Sequence, residues 1–233
     1  MSELTTKSEI VQACWADPIY FAENFVRLQG SEAPVSVILD SGKTEFFEVV
    51  ENEDIVVGRY PRRYGKTTAL HIYALHQALF GRKNVAIQSG VVVRQIQFLG
   101  DIAVMHRNLP SFLQDSTLQE SPDCLRFLGG EIRAVANSRY EGRMESDVLL
   151  IDEPAVSSKD LRNKFDPYEI VNRRNKGKIV FTGTFSKDDP IMGTMWSEGL
   201  DSNKEWTSLP TRDEENNIRA VLEMSNPAYS RGY

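Results

Sequence analysis

The sequence predicts an α/β fold, a mainly parallel sheet covered by helices, on three observations. From residue 54 onward, short β-branched runs alternate with longer helical segments, the pattern of repeated strand–helix units. Val148–Ile151 is almost purely apolar, as a central strand buried on both faces must be. The 233 residues are 41% hydrophobic and 26% charged, which supplies a sizeable core and excludes global disorder. The length fits one ordinary domain or one with an extension.

The elements follow in order. Ile10–Gln29 carries apolar residues at helical spacing, with Asp17-Pro18 as a helix start. Val35–Leu39 predicts a short strand and Glu45–Asn52 a helix. Ile55–Gly58 is a strand followed by a helix over Thr67–Phe80. Asn84–Gln88 is a strand followed by a helix over Val91–Arg107. Leu125–Leu128 and Glu131–Ala136, joined by Gly129-Gly130, form a hairpin. After the Val148–Ile151 strand, Asp166-Pro167 opens a helix that ends before Gly177. Lys178–Thr182 is the next strand, then a helix near Ile191–Gly199 and a strand near Glu205–Leu209. Residues 1–53 therefore form a helical lead-in, 54–210 the core, and the polar 211–233 a linker-like segment.

Several classes are excluded. Two cysteines, Cys14 and Cys124, are too few for a disulfide scaffold or a Cys-based zinc site, and suit a reduced, intracellular protein. The opening MSELTTKSEI lacks the apolar region of a signal peptide, and no apolar run nears the roughly 18 residues of a membrane span. A net charge of −6 argues against a wholly basic nucleic-acid surface and leaves room for a local patch. His71 and His76 sit off a common helix face, and neither they nor His106 show metal-ligand spacing. No Ser-His-Asp or Cys-His order invites nucleophilic hydrolysis. Met192, Met195 and Trp196 read as packing residues.

Chemistry concentrates in three strand ends. Ile55–Gly58 leads through Arg59, Tyr60, Pro61, Arg62, Arg63 and Tyr64 into Gly65-Lys66-Thr67-Thr68 and a helix, the context of a phosphate-binding loop. Loop amides and the helix N-terminus would surround the β- and γ-phosphates, Lys66 would add a point charge, and Thr67 would ligate Mg²⁺. The first glycine of the usual pattern is replaced by Tyr60. Asp152 and Glu153 end the apolar strand at 148–151. Acidic residues are rarely buried unpaired, and ligands gather at strand C-termini in open α/β sheets. Asp152 would hold Mg²⁺ and Glu153 would deprotonate the attacking water. Lys178–Thr184 ends in Thr182-Gly183-Thr184, two hydroxyls at the same sheet edge that would sense the γ-phosphate or its water. Arg62 and Arg63 lie within the loop, and clustered cations there call for an anion. Arg139 and Arg143, just before the Val148 strand, are candidates for an arginine finger.

On these residues the chain resembles the ATPase domain of the large terminase subunit, the DNA-packaging motor of tailed bacteriophages, over roughly residues 15–210. The family's loop reads Arg-Gln-x-Gly-Lys-Thr. Here Arg62 takes the first place, Arg63 replaces Gln, and Tyr64-Gly65-Lys66-Thr67 follow; the missing first glycine is itself a family habit. Asp152-Glu153-Pro154 matches the family's Walker B segment with its catalytic Glu. Thr182-Gly183-Thr184 matches the coupling motif, implied to link hydrolysis to movement. Asp17–Phe21 resembles the N-terminal entry segment, and Val91–Leu99 fits the helix after the second strand.

The resemblance implies a P-loop NTPase of the additional-strand, catalytic-glutamate class that hydrolyses ATP with Mg²⁺ to move viral double-stranded DNA into a prohead. It implies a portal protein, a small terminase subunit and a homo-oligomeric ring as partners, no membrane, and the host cytoplasm as location. It also implies that Arg62 and Arg143 stabilise transferring charge. Two departures stand out. The stretch Glu45–Glu48 lacks the Gln by which family members read adenine. Members also continue into a nuclease, whereas this chain ends at Tyr233; Asp188-Asp189 and Glu214-Glu215 lack strand context, so nuclease activity is not expected. Glu141-Gly142-Arg143 roughly matches the family's Arg-Gly before Walker B, and Arg139 and Arg143 are both finger candidates. A helicase-like DNA-dependent ATPase shares these motifs, and a regulatory nucleotide-binding module shares all but the need for Glu153.

Overall fold

Thr6 and Glu9 close a capping box at the start of α1 (Lys7–Ala16): the Thr6 amide donates to Glu9 Oε2 at 2.6 Å and the Glu9 amide to Thr6 Oγ1 at 3.3 Å. Asp17 then ends α1 and begins α2 (Pro18–Phe25), its carboxylate accepting from the Ile19 amide at 2.8 Å with Pro18 at the first helical position. The helical region expected over Ile10–Gln29 is thus two helices, broken where the cap signal sits. Arg27–Leu28 (β1) and Val35–Ser36 (β2) pair antiparallel. The computed structural model describes residues 6–60, 65–89, 92–135, 146–153, 177–184 and 206–208. The helices expected after Asp166-Pro167 and near Ile191–Gly199, and the segment 211–233, lie outside these.

The remaining elements are α3 (Ser41–Asn52), β3 (Ile55–Tyr60), α4 (Lys66–Leu79), β4 (Asn84–Ser89), α5 (Val92–Arg107), β5 (Gln119–Ser121), β6 (Cys124–Arg126), β7 (Glu131–Ala134), β8 (Val148–Asp152), β9 (Lys178–Thr184) and β10 (Trp206–Ser208). Eight strands form one sheet in the order β10-β3-β9-β8-β4-β7-β6-β5. The block from β3 to β7 is parallel, and the pairs at both edges are antiparallel. The fold class is as the sequence predicts. Strand β9 enters between β3 and β8, which is the added strand of the additional-strand class. The hairpin pairs Leu125 with Ile132, and β5 extends it by a polar, exposed strand without apolar alternation.

The core explains why α4 is so well placed. From Ala69 to Ala78 every residue of α4 is buried, so the helix is enclosed on all sides. It packs against β4, β7 and β8 on one side and against α2, α3 and α5 on the other. Phe21 of α2 and Phe46 and Phe47 of α3 join the same cluster as Leu70 and Tyr73 of α4 and Val148 and Val180 of the sheet. Phe46 meets Tyr73 edge to face with centroids 5.9 Å apart. Cys14 and Cys124 are both buried and free, and no helix among the described residues is long and apolar enough to cross a membrane.

His71 of α4 is enclosed at 3% exposure, its ring 4.6 Å from Phe98. Burial lowers its pKa to about 3. The native state therefore stays unprotonated where the unfolded chain, at about 6.5, takes up a proton. Stability is fully present above pH ~6.5 and falls as pH drops through that value, by up to about 1.4 kcal/mol per unit for this one group. His76 and His106 shift in the same direction, mainly through burial. Urea midpoints measured from pH 7 to pH 4.5 should fall, and His71→Phe should flatten that dependence. An unchanged slope in His71→Phe would show that other groups set it.

Candidate nucleotide site

Gly65 caps α4 with a left-handed backbone, φ 90°, and the first helical hydrogen bond runs from the Ala69 amide to the Gly65 carbonyl at 3.0 Å. The opening amides of α4 have no intrahelical acceptor, which makes a helix N-terminus an anion site. A Cβ at Gly65 would lie 3.0 Å from Lys43 Cε, a flexible side-chain end that can give way, so it is the left-handed backbone that demands glycine. Gly65→Ala should cost about 1–2 kcal/mol through the left-handed backbone alone. Thermal melting checks this, and a variant as stable as the parent would mean that the loop re-forms without strain.

The strand ends meet this helix in one row. Gly58, Thr182, Asp152 and Ser89 are lateral neighbours on β3, β9, β8 and β4. Asp152 is 1% exposed and collects three donors. Thr182 Oγ1 donates to Oδ1 at 2.8 Å, Lys66 Nζ lies 3.2 Å from the same oxygen, and Thr67 Oγ1 donates to Oδ2 at 3.0 Å. Lys66 Nζ also pairs with Glu153 Oε1. The Glu153 amide donates to the Thr182 carbonyl at 2.7 Å, while the residue holds φ 53°. Left-handed backbone at a non-glycine residue costs roughly 1–2 kcal/mol and recurs at functional sites. Here it turns the chain off the strand just where the second carboxylate is presented.

Of the sequence-predicted residues, Gly65, Lys66, Thr67, Thr68, Asp152, Glu153 and Thr182 converge on the C-terminal edge of the sheet. Thr182 is fully buried and bonded to Asp152, so its hydroxyl orients that carboxylate. Thr184 ends β9 opposite Tyr60. Arg62, Arg63, Tyr64, Arg139 and Arg143 lie outside the described residues, as do Asp188, Asp189, Glu214 and Glu215. Sequence reasoning misses two features. Ser89, buried beside Asp152, lies one residue past its expected strand. A second Gly-Lys-Thr, Gly42-Lys43-Thr44, begins α3, whose N-cap Asp40 accepts from the Lys43 amide at 3.0 Å and pairs with the Lys43 ammonium. The helix starts at Ser41 rather than at the expected Glu45, and Asp40 is the capping signal that marks it.

The Thr67 hydroxyl and the Asp152 carboxylate are hard oxygen donors, the kind Mg²⁺ takes together with phosphate oxygens and water. Among the described residues no group of three or more His, Cys, Asp or Glu stands ready to hold a metal by itself. Two hard oxygens from Thr67 and Asp152 fit a cation whose remaining positions are filled by phosphate oxygens and water.

No protein-family model and no curated protein matches the sequence. Solved structures do. The large terminase of bacteriophage HK97 superposes with a TM-score of 0.60 at 13% identity, over 87% of this chain and 43% of the HK97 chain. The ATPase domain of the large terminase of Thermus phage P74-26 superposes with a TM-score of 0.52 at 14% identity, over 82% of this chain and 89% of that domain. The chain spans less than half the length of the HK97 protein. At these identities the likeness is one of fold: the chain shares the P-loop NTPase fold of phage large-terminase ATPase domains.

Proposed function

We propose that this chain is an Mg²⁺-dependent ATPase whose hydrolysis drives double-stranded viral DNA into a prohead. The observation that carries the ATPase reading is the cluster at the N-terminus of α4, where buried Lys66, Asp152, Glu153 and Thr182 meet half-buried Thr67. In this reading the α4 amides and Lys66 bind the β- and γ-phosphates, with Arg62, Arg63, Tyr64 and Thr68 completing the loop. Thr67 and Asp152 would hold Mg²⁺, which when bound would supply charge neutralisation at the phosphates. Thr182 keeps Asp152 oriented, Thr184 reports phosphate state, and Glu153 takes the proton of the attacking water. An arginine, Arg143 or Arg139, completes the charge.

The packaging role is supported by the shared fold with large-terminase ATPase domains, together with the Arg62–Thr67 and Thr182–Thr184 motifs. The partners in this reading are double-stranded DNA, a portal protein, a small terminase subunit and further copies of this chain in a ring, in the host cytoplasm. Residues 1–53 act as lead-in, 54–210 as motor and 211–233 as linker. Phosphate release measured with and without double-stranded DNA and portal tests it. Hydrolysis stimulated by both, without cleavage of the DNA in Mg²⁺ or Mn²⁺, is the expected result. Stimulation by single-stranded DNA alone, with strand separation, would favour a helicase-like ATPase. Binding without turnover under all conditions would favour a regulatory module.

A further inference from the structure

We propose that Lys43 is a second phosphate-binding cation of the nucleotide loop, facing the phosphate nearest the nucleoside. The proposal rests on the nucleotide reading of the site. Its basis is the approach of Lys43, on α3, to Gly65 at the start of α4. The position a Cβ on Gly65 would take lies 3.0 Å from Lys43 Cε and 3.9 Å from its Nζ. The Lys43 side chain is only 16% exposed, with its stem against the glycine and its ammonium paired with Asp40. A charge that close to the loop acts on any anion held there, inside the roughly 8 Å over which salt screens.

Chemistry and topology choose the ligand atom. An ammonium is a compact point charge suited to phosphate. Lys66, by contrast, is committed to the side where Asp152 and Glu153 lie. Those carboxylates and Thr182 stand on β8 and β9, on one side of β3, whereas α3 packs over β3 and β10 on the other. A polyphosphate whose terminal end faces Asp152 therefore runs back across Gly65 toward α3. Lys43 is where its inner end passes. Asp40 holds the ammonium in place and partly offsets its charge.

The test is equilibrium binding of ADP and of inorganic tripolyphosphate to the full chain in EDTA, with melting curves as a folding control. Lys43→Gln should weaken both ligands by about 10-fold, the ~1.4 kcal/mol of one modest charge contact. Lys43→Arg should restore most of that loss. Asp40→Asn keeps a good N-cap while removing the competing charge, and should tighten tripolyphosphate binding. Weaker ADP binding with unchanged tripolyphosphate binding would move Lys43 to the nucleoside and overturn the proposal. Equal affinities in parent and Lys43→Gln, at equal stability, would leave Lys43 as packing and also overturn it, while the nucleotide reading survived. A parent chain that binds neither ligand would bring down both.

Discussion

Glu153→Gln is expected to keep nucleotide binding and to lower kcat by about 10²-fold or more, within the range for a lost general base. The side chains are nearly isosteric, and Glu153 is 8% exposed at the end of β8, so the substitution changes charge rather than packing. The amide to Thr182 and the left-handed turn at 153 belong to the backbone and survive it. What is lost is the carboxylate that pairs with Lys66 and, in turnover, accepts a proton. Freed from that partner, Lys66 has one fewer competitor for phosphate, so affinity should be equal or greater. Phosphate release under saturating ATP gives kcat, and titration with a fluorescent nucleotide gives affinity. Lost binding would make Glu153 a structural residue. Unchanged kcat would place the base elsewhere.

The parts of the site legible in the sequence are those that local pattern controls. The strands β3, β4, β8 and β9 are apolar runs bounded by turn residues or by polar site residues, and α4 and α5 are long enough for their boundaries to matter little. Gly65, Lys66, Thr67, Asp152 and Glu153 stand out because adjacent acids at the end of a buried strand, and a glycine and lysine opening a helix, are unfavourable placements unless charge meets them there. Strand order is another matter. That β9 lies between β3 and β8, so that the Thr182 hydroxyl meets Asp152 at 2.8 Å, is a fact of the tertiary fold that periodicity along the chain does not encode. The approach of Lys43 to Gly65 has the same origin. It depends on Phe46 and Phe47 seating α3 in the α4 cluster, which brings together residues far apart in sequence. The edge strand β5, polar on both faces, offers no alternation to read.

Lys66→Ala is expected to reduce ATP turnover to background, and the reason for the loss has two separable parts. The first is direct. The point charge on the β- and γ-phosphates disappears, and with it both affinity and stabilisation of the charge that develops in transfer. The second is structural. Lys66 is 7% exposed, and its ammonium pairs with two adjacent buried carboxylates, Asp152 and Glu153. Removing one member of a buried ion pair costs about 3–5 kcal/mol because the remaining charge is left uncompensated. The hydroxyls of Thr67 and Thr182 still donate to Asp152, so part of that cost is offset. A single variant would therefore lose activity for either cause. The double variant Lys66→Met/Glu153→Gln separates them: it removes the ammonium and one carboxylate together and fills the volume with a straight apolar chain. Its melting temperature should recover part of what Lys66→Ala loses, since one of the two carboxylates left uncompensated is gone, while Asp152 keeps only its two hydroxyl donors. Its nucleotide affinity should stay low and its turnover should stay at background. Recovered stability with recovered binding would show that Lys66 serves the fold alone, and that phosphate is held by the loop amides and the arginines beside them.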